Sequence, residues 1–230
     1  MKHFKYLDLI LAVFVTVLLV SNIASAAKIV TLGPFTYDAG TLLFPLSYIF
    51  GDVLTEVYGY KISRRVIWIG FAMLALMSAI VVIVGVLPGE TEWAKNVGQD
   101  AYDKIFSLTP RIVLGSLAGY WLGSFSNSFV MAKLKAITQG KWLWSRTISS
   151  TVIGEAVDTI VFCAIAFFGT MPMDILWAIV LSNYVFKVGV EVLFTPLTYA
   201  IVGALKRREG IDADDRATNL NPFRLRVEEG

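Results

Sequence analysis

The chain has 230 residues, of which 56% are hydrophobic and 17% charged. A soluble domain carries about 25% charged residues, so the composition argues against an ordinary soluble fold and for a membrane protein. The net charge of +2 gives no footing for nucleic acid, the single cysteine (Cys163) excludes an internal disulfide, and the single histidine (His3) excludes a histidine-based metal centre.

Six apolar stretches follow one another at 4–27, 38–59, 65–87, 108–134, 147–169 and 173–205. About 20 residues of helix cross the ~30 Å hydrocarbon core. The stretches are continuous rather than alternating, which argues against a porin-like barrel. The expectation is an all-α integral membrane protein with six transmembrane helices in a domain over 1–205, followed by a polar cytoplasmic tail over 206–230. The first stretch imitates a secretory signal, with Lys2 and Lys5 before an apolar run and Ala24-Ser25-Ala26 after it. It is long enough to span, and five more stretches follow, so it reads as a retained helix. Gly33-Pro34 signals a turn, and the second helix begins near Asp38. The basic link Gly59 to Arg65 joins it to the third helix, which Pro88-Gly89 ends. The polar segment 89–107 carries a short interfacial helix around Trp93. Met171-Pro172 separates the fifth helix from a long sixth, where Pro196 introduces a kink or marks the interface. From Lys206 onward the tail is polar and reads as poorly ordered at its end.

The basic residues orient the bundle. With six spans, the N-terminus, the second and fourth links and the start of the tail share one side and carry twelve Lys and Arg, against Lys28, Lys95, Lys104 and Arg111 on the other. The positive-inside rule puts both termini in the cytoplasm.

Charges inside apolar helices are the informative residues, because each costs about 2.5–3.5 kcal/mol at the membrane centre. Asp52 and Glu56 share one helical face by their i, i+4 spacing, with Tyr48 and Thr55 near it; Glu56 also reads as an interfacial carboxylate near Lys61 and Arg64. Glu155 and Asp158 follow at i, i+3 on the fifth helix, either in the site or in a structural ion pair. On the sixth helix Asn183, Lys187 and Glu191 make a polar stripe in which Lys187 and Glu191 can pair with each other. The simpler arrangement sets Lys187 against Asp158 or Glu155, leaving surplus carboxylates that need protons or a ligand rich in N–H groups. Asn22 on the first helix must satisfy both a donor and an acceptor. Gly115, Gly119 and Gly123 form a small-residue ridge that serves either a homodimer seam or packing within the bundle. Ser124 to Ser128 carries little signal. There is no zinc motif, nucleophile elbow, phosphate loop or redox cysteine pair, and the Gly-x-Gly-Asp motif of intramembrane aspartyl proteases is missing. No enzyme, cofactor or metal is expected.

Asp52-Val53-Leu54-Thr55-Glu56-Val57-Tyr58-Gly59, Ser21-Asn22, the run from Arg146 through Asp158-Thr159, and Asn183-Tyr184-Val185-Phe186-Lys187 with Thr195-Pro196 together resemble the queuosine precursor transporter family, also called the vitamin uptake transporter family. The resemblance covers about residues 4–205. It implies a six-helix protein of the inner (plasma) membrane, similar to the substrate-binding subunits of energy-coupling-factor importers, that takes up 7-cyano- or 7-aminomethyl-7-deazaguanine. A self-sufficient carrier and a subunit that needs an ATPase partner are two versions of it. Asp158, Asn183 and Lys187 match the family pattern; Glu155 and Glu191 stand where other polar residues also occur. The chemistry agrees. A carboxylate accepts both the N1–H and the exocyclic amine of a guanine edge. Asn22, Asn183 or Lys187 can donate to its carbonyl. Phe44, Tyr48 and Tyr184 can wall its faces, and a spare carboxylate such as Glu56 or Glu191 can meet an aminomethyl cation. Asp52 completes the candidate set. The competing class is a structural membrane protein whose buried charges only fix helix packing.

Overall fold

The computed structural model describes residues 4–32, 35–106, 110–167, 169, 172–213 and 218–223. Among these the chain is helical apart from one short hairpin. Helix α1 (Leu7–Ala27) leads into strands β1 (Ile29–Leu32) and β2 (Phe35–Asp38), paired antiparallel with Ile29 opposite Asp38. A 3-10 turn (Ala39–Leu42) precedes α2 (Phe44–Tyr58). The second helix therefore starts six residues later than its apolar pattern suggests, because Asp38 closes the hairpin and Ala39–Leu42 take the 3-10 turn.

Gly59 alone joins α2 to α3 (Tyr60–Gly85). Its φ of 85° is open to glycine at little cost, so the expected link over 59–65 shrinks to one residue and Lys61 to Arg65 form the first turns of α3. The polar segment holds two short helices, α4 (Thr91–Asn96) and α5 (Gln99–Phe106). The Glu90 carboxylate caps α4, accepting from the Glu92 and Trp93 amides, and these bonds hold it below the usual carboxylate range. Helices α6 (Pro110–Ile137), α7 (Leu143–Phe167) and α8 (Met173–Glu209) complete the bundle. Helix α8 runs past Pro196 to a left-handed Gly210, so the boundary expected at 205/206 falls inside it.

Among the described residues four helices are long and apolar enough to cross a membrane: Leu7–Ser25, Tyr60–Gly85, Leu143–Ala166 and Val180–Glu209. Helix α2 has 15 residues, about 23 Å at ~1.5 Å per residue. Helix α6 has 28 residues but is diluted by polar positions, of which Asn127, Ser128 and Lys135 are buried.

The apolar core joins α1, α2, α3 and α6 through Phe14, Leu18, Val53, Val57, Ile67, Leu74, Tyr120 and Phe125. The start of the tail is docked on the bundle, while its end, where poor order is expected, lies outside the described residues. Glu209 accepts from the Lys5 and Tyr6 amides and from the Tyr58 hydroxyl. Further on, Tyr60 donates to Leu220 O, Arg64 to Asn219 O and Asn221 O, and Trp68 to Pro222 O. Phe223 packs on Trp68 and Trp121.

Candidate functional site

Helices α2, α6, α7 and α8 enclose a buried polar ladder. Its rungs follow from helical spacing: Asp52 and Glu56 on α2, Arg146, Ser150, Glu155 and Asp158 on α7, Lys187 and Glu191 on α8. Glycines set how closely α6 and α7 approach. A Cβ on Gly119 would stand 2.8 Å from Asp158 Oδ1, and one on Gly123 would stand 2.7 Å from Asp158 Cβ and 2.6 Å from the Tyr48 hydroxyl. A Cβ on Gly115 would meet Phe162 O at 3.1 Å. The glycine ridge thus packs against α7 of the same chain.

At the rung nearest the tail, Glu56 lies among cations. Its Oε1 is 2.7 Å from Lys206 Nζ, 3.0 Å from Arg146 Nη2 and 3.7 Å from Lys135 Nζ. Lys135 also donates to Glu56 O at 2.6 Å. Asp212 completes this basic collar, 2.7 Å from Lys135 and 2.9 Å from Lys206. Burial works to raise the Asp212 pKa, but the hydrogen bonds from the two lysines outweigh it and hold the carboxyl below its usual range. Glu56 is 1% exposed, so it belongs to a structural network and stands apart from the other candidate carboxylates.

One turn along α2, Asp52 Oδ1 accepts from Asn127 Nδ2 at 2.8 Å and Ser150 Oγ at 3.3 Å, while its Oδ2 is buried without a partner. Beyond it, Lys187 Nζ lies 2.8 Å from Asp158 Oδ2 and 3.1 Å from Glu155 Oε2. Of the two pairings open to Lys187, the structure forms the one across α7 and α8. Glu191 is fully buried and neither oxygen has a hydrogen-bond partner. Its charged neighbours include Asp52 and Glu155. Tyr48 is buried beside Asp158, Glu155 and Glu191 and donates to Gly154 O. Among the described residues, then, four carboxylates share this interior with Lys187.

Other candidates are less central. Tyr184 is half-buried and donates to Val152 O at 3.3 Å. Asn183 is half-buried one turn before Lys187. Asn22 donates to Leu18 O and lines a separate cavity of about 20 Å³ with Ile23, Met77 and Phe106. Phe44 opens α2, but its side chain lies outside the described residues. A cavity of about 10 Å³ lies beside Tyr48, Gly51 and Asn127. Residues that sequence reasoning passed over include Asn127 and Ser128, in a patch of little apparent signal, and Lys135, counted only as cytoplasmic charge; Arg146 was counted as cytoplasmic charge and as the start of a run that carries the resemblance. The i, i+4 spacing along α6 from Asn127 through Met131 to Lys135 is the signal that could have found two of them.

Residues 38–201 match the family described as "Putative vitamin uptake transporter". Relatives include the "Probable queuosine precursor transporter" of Bacillus subtilis strain 168, 32% identical over 75% of each chain. The "Queuosine precursor transporter" of Escherichia coli strain K12 is 27% identical over 71% of each chain. The "Probable queuosine precursor transporter" of Haemophilus influenzae is 26% identical over 74% of this chain and 70% of its own. No solved structure matches the chain.

Proposed function

Because the chain belongs to the vitamin uptake transporter family, and is a membrane transporter rather than an enzyme, we propose that it imports the 7-deazaguanine precursors of queuosine across the plasma (inner) membrane. The observation that carries this reading is the surplus of carboxylates around Lys187, all within the stretch 38–201 that matches the family. A packing role calls for balanced pairs. Here Glu191 and one oxygen of Asp52 have nothing to accept. A guanine edge supplies paired N–H donors to such a surface, and charge-assisted bonds are the strong ones.

On this reading Asp158 accepts the N1–H and the exocyclic amine, Glu155 supports it and Lys187 balances the buried charge. Asn183 adds a polar contact, and Tyr48 and Tyr184 wall the base. Helices α2 and α6 join the four long apolar helices as spans, making six, with both termini in the cytoplasm as the basic residues direct. The likeness to energy-coupling-factor binding subunits is part of the same proposal.

The test is direct binding of 7-aminomethyl- and 7-cyano-7-deazaguanine to the purified chain and to Asp158→Asn. That change sets an amide donor against a ligand donor. A charged hydrogen bond lost with its partner left buried costs about 2–3 kcal/mol, or tens- to about a hundredfold in affinity. Undiminished binding by a folded Asp158→Asn protein would return Asp158 to the competing class, a charge that only packs helices.

A further inference from the structure

We propose that Glu191 reads the substituent at position seven of the base and makes this chain prefer a cationic precursor to a neutral one. The inference rests on the carrier reading above and deepens it. It comes from asking which carboxylate is left to meet a ligand cation. Glu56 is taken by Lys206 and Arg146. Asp158 and Glu155 share Lys187. Asp52 accepts from Asn127 and Ser150. Glu191 alone among these has both oxygens buried with no hydrogen bond and no ion pair at all.

Its position suits the role. Glu191 is four residues beyond Lys187 on α8, about 6 Å along a helix at ~1.5 Å per residue, and on the same face. A base whose amine edge meets Asp158 at the level of Lys187 extends its opposite, five-membered side away from that contact, toward the next turn. The ionisable groups near Glu191 include Asp52 and Tyr48 on α2 and Glu155 on α7, with Lys187 one turn back on its own helix. Apart from Lys187 these are acids or a phenol. An aminomethyl ammonium entering among them gives the Glu191 carboxyl a cation to pair with and gains a charge-assisted hydrogen bond. A nitrile brings an acceptor lone pair to the same place and gains neither.

The experiment measures affinities of 7-aminomethyl- and 7-cyano-7-deazaguanine for the full chain at pH 7, in wild type, Glu191→Gln and Glu191→Asp. Wild type should favour the aminomethyl ligand. Glu191→Gln should weaken that ligand by about ten- to a hundredfold and leave the cyano ligand unchanged or improved. Glu191→Asp should restore part of the difference. An unchanged ratio in a folded Glu191→Gln protein overturns the inference. So does a wild-type preference for the cyano ligand, which needs no variant to be seen. Binding of neither ligand to wild type would instead remove the carrier reading on which the inference stands.

Discussion

Replacing Glu56 by Gln should be among the most damaging single-atom changes in the chain. The carboxylate is 1% exposed and its Oε1 serves Lys206 at 2.7 Å, Arg146 at 3.0 Å and Lys135 at 3.7 Å. After the change Lys206 and Lys135 keep Asp212, and Lys135 keeps Glu56 O. Arg146 fares worse. It is 1% exposed, and its Nε and Nη1 already lack partners. The penalty is therefore dominated by one guanidinium left buried without its counter-ion, and breaking such a pair costs about 3–5 kcal/mol. Asp212→Asn removes a carboxylate from the same collar, but Asp212 is 61% exposed. Exposed pairs are worth about 0–1 kcal/mol, so this variant serves as the control. Because an uncharged pair of similar volume is close to neutral, Glu56→Gln with Arg146→Met should recover most of the loss. The assay is reversible unfolding in mixed micelles, followed by the helical signal. A loss below about 1 kcal/mol for Glu56→Gln, or a double variant as damaged as the two singles summed, would refute the argument.

Two further outcomes follow from the packing and the charge pattern. Gly119→Leu drives a side chain toward Asp158, where even a Cβ stands 2.8 Å from Oδ1. It should cost at least about 1–3 kcal/mol as an overpacked core and lower the melting temperature, without moving the surviving protein between oligomeric states in size-exclusion chromatography. Single cysteines placed over 95–104 in a Cys163→Ala background should label from outside intact cells and those at 61 and 141 should not; the reverse pattern would invert the proposed topology.

The helices were largely legible because apolar runs broken by Gly and Pro state their own lengths. The start of α2 was placed too early, since Ala39 to Leu43 are as apolar as the helix they precede and composition alone does not show that Ala39–Leu42 take a 3-10 turn. The juxtaposition of Lys187 with Asp158 and Glu155 was legible for an electrostatic reason: charges isolated in apolar helices have few other places to go. Glu56 was harder. Its partners Lys135, Arg146 and Lys206 look like ordinary positive-inside residues, and only the crossing of four helices shows that they converge on one oxygen. Asn127 illustrates the same limit, because a single carboxamide in a run of serines has no meaning until Asp52 is seen 2.8 Å away. The docked tail was invisible for a different reason. Its polar composition suggests disorder, yet it is held through backbone carbonyls of Asn219, Leu220, Asn221 and Pro222, which every sequence offers.

The two layers of the ladder also divide the mechanical work. Near the tail, three cations and two carboxylates tie α2, α6, α7 and α8 together, and the partners are within 2.6–3.7 Å. One turn away, Asp52 is tied to α6 and α7 but not to α8, whose polar hold at the level of Asp158 is Lys187. On the proposed reading, a base that takes Asp158 and Glu155 as acceptors competes with Lys187 for the same oxygens. Ligand and helix packing then draw on one set of carboxylates, so an arriving base weakens the contact of Lys187 with α7. The bonds from the Tyr184 hydroxyl to Val152 O and from the Trp144 amide to the Tyr199 hydroxyl still join the two helices, and the collar around Glu56 holds their far ends. The change on binding therefore falls at the acidic centre, where an ammonium of the chain gives way to the donors of the substrate.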